Sequence, residues 1–206
     1  MPNWCDNTVT LTHSDKAKID ALEVELEKGF DNSEVFKHLR PYEGEWDYGW
    51  CCENWGCKWE ARIIDWNRRD DNSIWLTFET AWAPPVTLYE FIEKDDWEIE
   101  AFYYEPGMAF AGIYSDGYDN QYNYSEMSAD EIEEQLPQEL NEMYGISDYQ
   151  REWEEENQED EEYNEEGEDE EEGEYTQEDI EQALAELKAE FERLEAEEEK
   201  KNDPTK

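Results

Sequence analysis

The chain has 206 residues, of which 37% are hydrophobic, and its 61 acidic against 16 basic side chains give a formal net charge of -45. This length and composition predict one globular core with an appendage and exclude two full domains. The charge excludes a surface built to bind nucleic acid or an anionic membrane directly, because like charges repel.

Neither a membrane span nor secretion is predicted. No apolar run is long enough for a transmembrane helix, and the first residues lack the charged and hydrophobic segments of a signal peptide. We therefore expect a cytoplasmic protein whose cysteines stay reduced. The cysteines and histidines lack the paired spacing of a zinc site, and no glycine-rich phosphate loop occurs, so we predict no metal and no cofactor.

The first half of the chain alternates between strand and helix patterns. Residues 8–12 alternate in polarity and predict a strand, and the apolar spacing within residues 16–28 predicts a helix. After a polar and aromatic loop at residues 42–57, two extended runs at residues 58–66 and 73–80 predict a hairpin.

A second helix is predicted to begin at Pro84-Pro85 and to end near Asp95. Two further strands, residues 97–104 and 108–114, flank the turn sequence Glu105-Pro-Gly. The order β-α-β-β-α-β-β predicts an α+β fold over residues 1–125. The predicted fold is a ferredoxin-like antiparallel sheet with two helices on one face.

The remaining residues form an acidic tail with 35 acidic and 6 basic side chains. A capping box at Ser128 predicts a helical extension over residues 126–151. Residues 152–175 have too many charged and too few apolar side chains to form a core, so we predict that they are disordered. Apolar residues at heptad spacing predict a last helix over residues 176–202. That helix could dock on its own domain, mediate weak self-association or bind a partner.

Four short motifs carry a resemblance to a known family. They are Met1-Pro-Asn-Trp-Cys, Glu53-Asn-Trp-Gly-Cys-Lys-Trp-Glu-Ala, Phe78-Glu-Thr-Ala-Trp-Ala-Pro-Pro and Tyr104-Glu-Pro-Gly-Met-Ala-Phe-Ala-Gly. In these motifs the chain resembles the YubB-like family of small phage and plasmid proteins over about residues 1–117. The resemblance implies a ferredoxin-like domain and a mobile-element origin, with no established reaction. Cys57, Ala83 and the acidic tail depart from the family pattern.

The same motifs supply the candidate site. Six aromatic and polar residues could line one surface: Asn54, Trp55, Lys58, Trp59, Trp82 and Glu105. In this surface Lys58 would pair with Glu105 or bind a ligand. The alternative is that these residues form a packed edge of the core and its caps.

No catalytic residues are predicted, because two histidines in the first 38 residues and scattered carboxylates give no recognisable constellation. The leading hypothesis is a non-enzymatic phage or plasmid protein, active in the host cytoplasm. Its acidic surface and tail would engage a basic, nucleic-acid-binding host protein as a nucleic-acid mimic. The alternative is a small-ligand or enzymatic site on the aromatic-rich domain, with the tail as a solubilising or tethering accessory.

Overall fold

A computed structural model describes the backbone of residues 3–168 and the side chains of residues 3–157. It contains one six-stranded sheet in which every neighbouring pair is antiparallel, in the order β2-β3-β1-β4-β5-β6. The strands are β1 (Trp4–Thr12), β2 (Arg62–Arg68), β3 (Ser73–Ala81), β4 (Glu98–Glu105), β5 (Phe110–Ser115) and β6 (Tyr118–Asn123).

Seven α-helices accompany the sheet within the described residues. They are α1 (Lys16–Leu26), α2 (Val35–Leu39), α3 (Tyr48–Asn54), α4 (Val86–Ile92), α5 (Ala129–Gln135), α6 (Gln138–Tyr144) and α7 (Ile146–Glu168), and a short 3-10 helix at Glu93–Asp95 follows α4. None of these helices combines the length and the apolar content that crossing a membrane requires.

The central strand β1 directs alternate side chains to opposite faces of the sheet. Cys5, Asn7, Val9 and Leu11 are buried, whereas the residues between them are partly exposed. Val9 and Leu11 enter a first core that receives residues from α1, α2, α3 and α4 as well as from the strands. Its members include Ile19, Leu22, Phe36, Cys51, Trp55, Leu76, Phe78, Leu88 and Ile92.

A second core lies on the other face of the sheet. Phe102 of β4 follows Ala101, which belongs to the first core, so the two side chains point in opposite directions. The members of the second core are Phe102, Ala111, Tyr124, Ile132, Leu136, Leu140 and Ile146. The Tyr144 hydroxyl of α6 donates a hydrogen bond to the Phe102 carbonyl at 2.9 Å. Helices α5 and α6 are therefore packed on the sheet.

The predicted α+β class with an antiparallel sheet is confirmed, but the arrangement differs in several elements. Helices α2 and α3 were not predicted, so four helices rather than two contribute to the first core. Strand β6 was missed because its sequence is polar and exposed apart from the half-buried Tyr122. Helix α7 continues to Glu168, where disorder was predicted from residue 152. The predicted helix at residues 176–202 lies outside the described residues.

Two buried tyrosines in the first core differ in how their hydroxyls are satisfied. Tyr89 and Tyr114 are almost fully buried, and their ring centroids lie 5.1 Å apart. The Tyr114 hydroxyl donates to Glu93 Oε2 at 2.7 Å, whereas the Tyr89 hydroxyl has no hydrogen-bond partner among the described residues. A buried hydroxyl without a partner loses its hydration without compensation.

We therefore expect Tyr89→Phe to leave the free energy of unfolding unchanged or to raise it by about 1 kcal/mol. The matched variant Tyr114→Phe removes a hydrogen bond to a charged group and should lower it by about 1–2 kcal/mol. Urea denaturation of the two variants measures the difference. A larger loss from Tyr89→Phe than from Tyr114→Phe would contradict this prediction.

Candidate functional site

Three indole rings and two cations lie next to one another at the end of the sheet where β1 begins and β3 ends. The Lys58 ammonium lies 4.4 Å from the ring centroid of Trp59 and 4.9 Å from that of Trp82. Trp59 lies 6.2 Å from Trp4, and the Arg62 guanidinium lies 5.8 Å from the Trp4 ring. These five residues form a continuous row, which we call the cation–aromatic row.

Local structure after α3 sets the position of Lys58. Gly56 follows the helix with φ of 88°, a left-handed conformation that lets the chain turn back toward the sheet. The Lys58 carbonyl then accepts a hydrogen bond from Trp46 Nε1 at 3.3 Å. Within residues 3–157 the half-buried Lys58 ammonium forms no ion pair, so the two indole faces supply its main favourable contacts.

Trp82 is held in an unusual backbone conformation directly after β3. Its φ is 73°, a left-handed value that costs a residue with a side chain roughly 1–2 kcal/mol. The Trp82 amide donates to the Asn3 carbonyl at 3.0 Å, and 42% of the residue remains exposed. Strain of this kind persists where the surrounding structure enforces it, and it often marks functional positions.

Two more exposed aromatic residues extend this surface beyond Trp82. Tyr48 lies 6.3 Å from Trp82, and Trp46 lies 6.5 Å from Tyr48. Tyr48 is the first residue of α3, and Trp46 precedes the N-cap residue Asp47, whose side chain accepts the Trp50 amide at 2.6 Å. We call Trp46, Tyr48, Trp59 and Trp82 together the aromatic surface.

A cavity of about 420 Å³ adjoins Trp82. Its lining residues are Asn3, Trp82, Met108 and Phe110. Met108 is 64% exposed, so the apolar lining is accessible from solvent. Trp82 therefore both contacts Lys58 and lines this cavity.

The structure brings three of the predicted site residues together, namely Lys58, Trp59 and Trp82. Asn54 and Trp55 have a different role, because both hold Arg40. The Asn54 carbonyl accepts from the Arg40 guanidinium at 2.6 Å, and its side-chain oxygen accepts a second hydrogen bond from it. Trp55 is buried in the first core and donates from Nε1 to the Arg40 carbonyl at 3.3 Å.

Glu105 does not pair with Lys58. It is fully buried, and its carboxylate accepts the amides of Gly107 at 3.2 Å and of Met108 at 2.6 Å. Glu105 therefore caps the turn between β4 and β5. Trp4, Trp46 and Tyr48 were not among the predicted site residues, although Trp4 lies in the first of the four motifs.

Three of the four cysteines lack the features of catalytic thiols. All four are free, burial raises the pKa of Cys5 and Cys57 well above that of an exposed thiol, and burial also raises the pKa of Cys51. These three stay protonated at neutral pH and are poor nucleophiles. Among the described side chains, no group of three or more histidines, cysteines and carboxylates is arranged to hold a metal ion.

Glu60, next to Trp59, has a strongly shifted pKa. Burial raises the pKa of Glu60 from 4.5 to about 7, although its carboxylate accepts three backbone hydrogen bonds that oppose the shift. The donors are the amides of Phe36 at 2.6 Å, Lys37 at 3.1 Å and Ala61 at 3.1 Å. Because the Phe36 and Lys37 amides belong to the first turn of α2, Glu60 anchors the start of that helix.

Folding favours the protonated form of Glu60, so its contribution to stability is fully present below pH 4.5 and is lost as the pH rises through about 7. We expect the wild-type chain to lose on the order of 2 kcal/mol relative to Glu60→Gln between these pH values. Urea denaturation of both proteins across this range measures the difference. Parallel stability curves would show that the pKa of Glu60 is not raised.

Comparison with known proteins gives little similarity. No family model matches the chain, and no curated protein matches it. Among solved structures, the chain is similar to a protein api92 from Yersinia pseudotuberculosis, described by the family model DUF1281, with 27% identity over 38% of this chain and a TM-score of 0.30. The match covers 30% of that protein's chain. A TM-score of 0.30 does not establish a shared fold.

Proposed function

We propose that the protein is a non-enzymatic binding protein whose acidic surface engages a basic, nucleic-acid-binding protein as a mimic of nucleic acid. The observation that carries this proposal is the excess of carboxylates that remains after the cations are paired. Within residues 3–157, the basic side chains in ion pairs are Lys16, Lys18, Lys28, Lys37, Arg62, Arg68 and Arg151.

These pairs use several carboxylates at once without neutralising the surface. Arg68 contacts both Asp20 and Glu23, and Arg151 contacts Asp130 at 3.4 Å and Glu133 at 3.1 Å. A cleft of about 530 Å³ at the far end of β1 is lined by further acidic residues, namely Glu93, Glu98, Glu100 and Asp116. Many carboxylates therefore form no ion pair with the cations among the described side chains and are available to a basic partner.

A basic groove built for phosphates would attract such a surface at long range. Association would be fast at low ionic strength and would release the counterions condensed on the acidic chain. Affinity would then fall steeply with added salt, as it does for nucleic acid in the same groove. The acidic residues 126–206 add to this field.

We also propose a ferredoxin-like topology and membership of the YubB-like family, with a phage or plasmid origin and action in the host cytoplasm. The order β2-β3-β1-β4 with antiparallel pairing supports the topology, as do the positions of α1 between β1 and β2 and of α4 between β3 and β4. The four motifs within residues 1–117 support the family.

A second candidate function is a small-ligand or enzymatic site on the aromatic-rich domain, with the acidic tail as an accessory. The cavity of about 420 Å³ beside Trp82 favours it, because apolar cavities of this size suit small ligands. In that case neutralising the tail should leave ligand binding unchanged.

The test uses the full-length chain, because removing residues after Ser125 would also remove α5 and α6 from the second core. The variant replaces the Glu and Asp residues of positions 152–174 with Gln and Asn. A basic, sequence-independent DNA-binding protein is loaded with labelled duplex DNA, and displacement of the DNA is followed by fluorescence anisotropy. We expect the wild-type chain to displace the DNA and the variant to do so at least about tenfold less well, with a weaker dependence on salt.

Equal displacement by both chains at all salt concentrations would show that the charge of the tail is not required. No displacement by the wild-type chain at low salt would contradict nucleic-acid mimicry itself. Circular dichroism of both chains serves as the control that the substitutions leave the fold intact.

A further inference from the structure

Lys58 is bound differently from the lysines that have carboxylate partners. Lys16, Lys18, Lys28 and Lys37 each contact a carboxylate. The Lys58 ammonium instead lies over the rings of Trp59 and Trp82, at 4.4 and 4.9 Å. In a chain of net charge -45, this site binds a positive charge through ring faces rather than through carboxylates.

The rings beyond Lys58 are open to solvent and have acidic neighbours. Trp46 is 57% exposed and Tyr48 is 48% exposed. The exposed Glu43, Glu45 and Glu53 flank them in the sequence, and none of the three forms an ion pair among the residues that the structure describes. Exposed aromatic faces and unpaired carboxylates of the same segment each attract a cation.

Trp82 connects the bound cation to this open surface. One contact of its ring is with Lys58, another is with Tyr48, and the residue also lines the cavity beside Met108. The left-handed backbone at Trp82 would be adopted more readily by Gly or Asn. A strained tryptophan that is 42% exposed contributes less to the core than a buried one would.

We propose that the aromatic surface of Trp46, Tyr48, Trp59 and Trp82 is a docking site for arginine and lysine side chains of a basic partner protein. Lys58 occupies the cation position between Trp59 and Trp82 until a partner side chain displaces it. The proposal rests on the proposed function and adds where on the domain the basic partner is recognised. The acidic surface supplies long-range attraction, and the aromatic surface supplies short-range contacts with individual side chains.

Charge decides between a cationic side chain and a nucleic-acid base as the occupant. Tryptophan faces can stack on bases, but a nucleic acid would also bring phosphates close to the flanking carboxylates. An arginine presents a planar cation that stacks on an indole and also pairs with carboxylates. The partner is therefore a protein segment rich in arginine and lysine.

The first test compares two full-length variants for binding to a labelled peptide of alternating arginine and serine. Trp82→Asn removes the ring but keeps a residue that tolerates the left-handed backbone. We expect it to bind the peptide about 5- to 30-fold more weakly than the wild-type chain. The control Trp153→Asn removes another exposed tryptophan, on α7, and should bind like the wild-type chain.

The second test removes the resident cation. Lys58→Ala should free the position between Trp59 and Trp82, whereas Lys94→Ala removes the same charge from an exposed site outside the aromatic surface. We expect Lys58→Ala to bind the peptide about fivefold more tightly than Lys94→Ala. Equal affinities would overturn the displacement of Lys58. If Trp82→Asn does not fold, Tyr48→Ser replaces it, with a loss of affinity expected.

The outcomes separate this proposal from the proposed function. The docking site is overturned if the chain neutralised at residues 152–174 no longer binds the peptide while Trp82→Asn binds it as tightly as the wild-type chain. That result would leave the acidic function standing. Absence of peptide binding by the wild-type chain at low salt overturns both. Binding of labelled oligothymidine that depends on Trp82 would assign the aromatic surface to nucleic acid and also overturn the docking site.

Discussion

The pairing of β1 with β3 on one side and β4 on the other is the constraint on which the rest of the structure depends. Each of the nine residues from Trp4 to Thr12 is in register with a residue of β3, and seven of them are also in register with β4. Because side chains alternate along a strand, this register places Val9 and Leu11 in the first core. It also fixes Trp4 beside Trp59 at the end of the sheet.

The burial of both sheet faces explains why the helical extension belongs to the domain. Phe102, Ala111 and Tyr124 would form an exposed apolar patch if α5 and α6 were absent. The Tyr144 ring lies 5.3 Å from that of Tyr104, nearly parallel to it, and its hydroxyl binds the Phe102 carbonyl. The extension is therefore acidic in most of its sequence, and a small number of its apolar residues pack on the sheet.

Two kinds of interaction stabilise basic side chains in this strongly acidic protein. Exposed cations such as Lys16 and Arg62 lie against carboxylates and contribute little to stability, because solvent screens such pairs. Lys58 lies instead between two indole rings. The first arrangement leaves the overall field negative, and the second places the Lys58 ammonium against two ring faces.

The sequence by itself determined the charge, the alternation along β1, the helix after Pro84-Pro85 and the turn after Glu105, since each follows from local composition or backbone restriction. Strand β6 could not be predicted, because its polar residues gain strand structure only by pairing with β5. Likewise, only the tertiary structure decided that Lys58 meets Trp82 and that Glu105 binds its own turn. The physical reason is that the pairing of the strands decides which distant parts of the chain become neighbours, and therefore which side chains can contact one another.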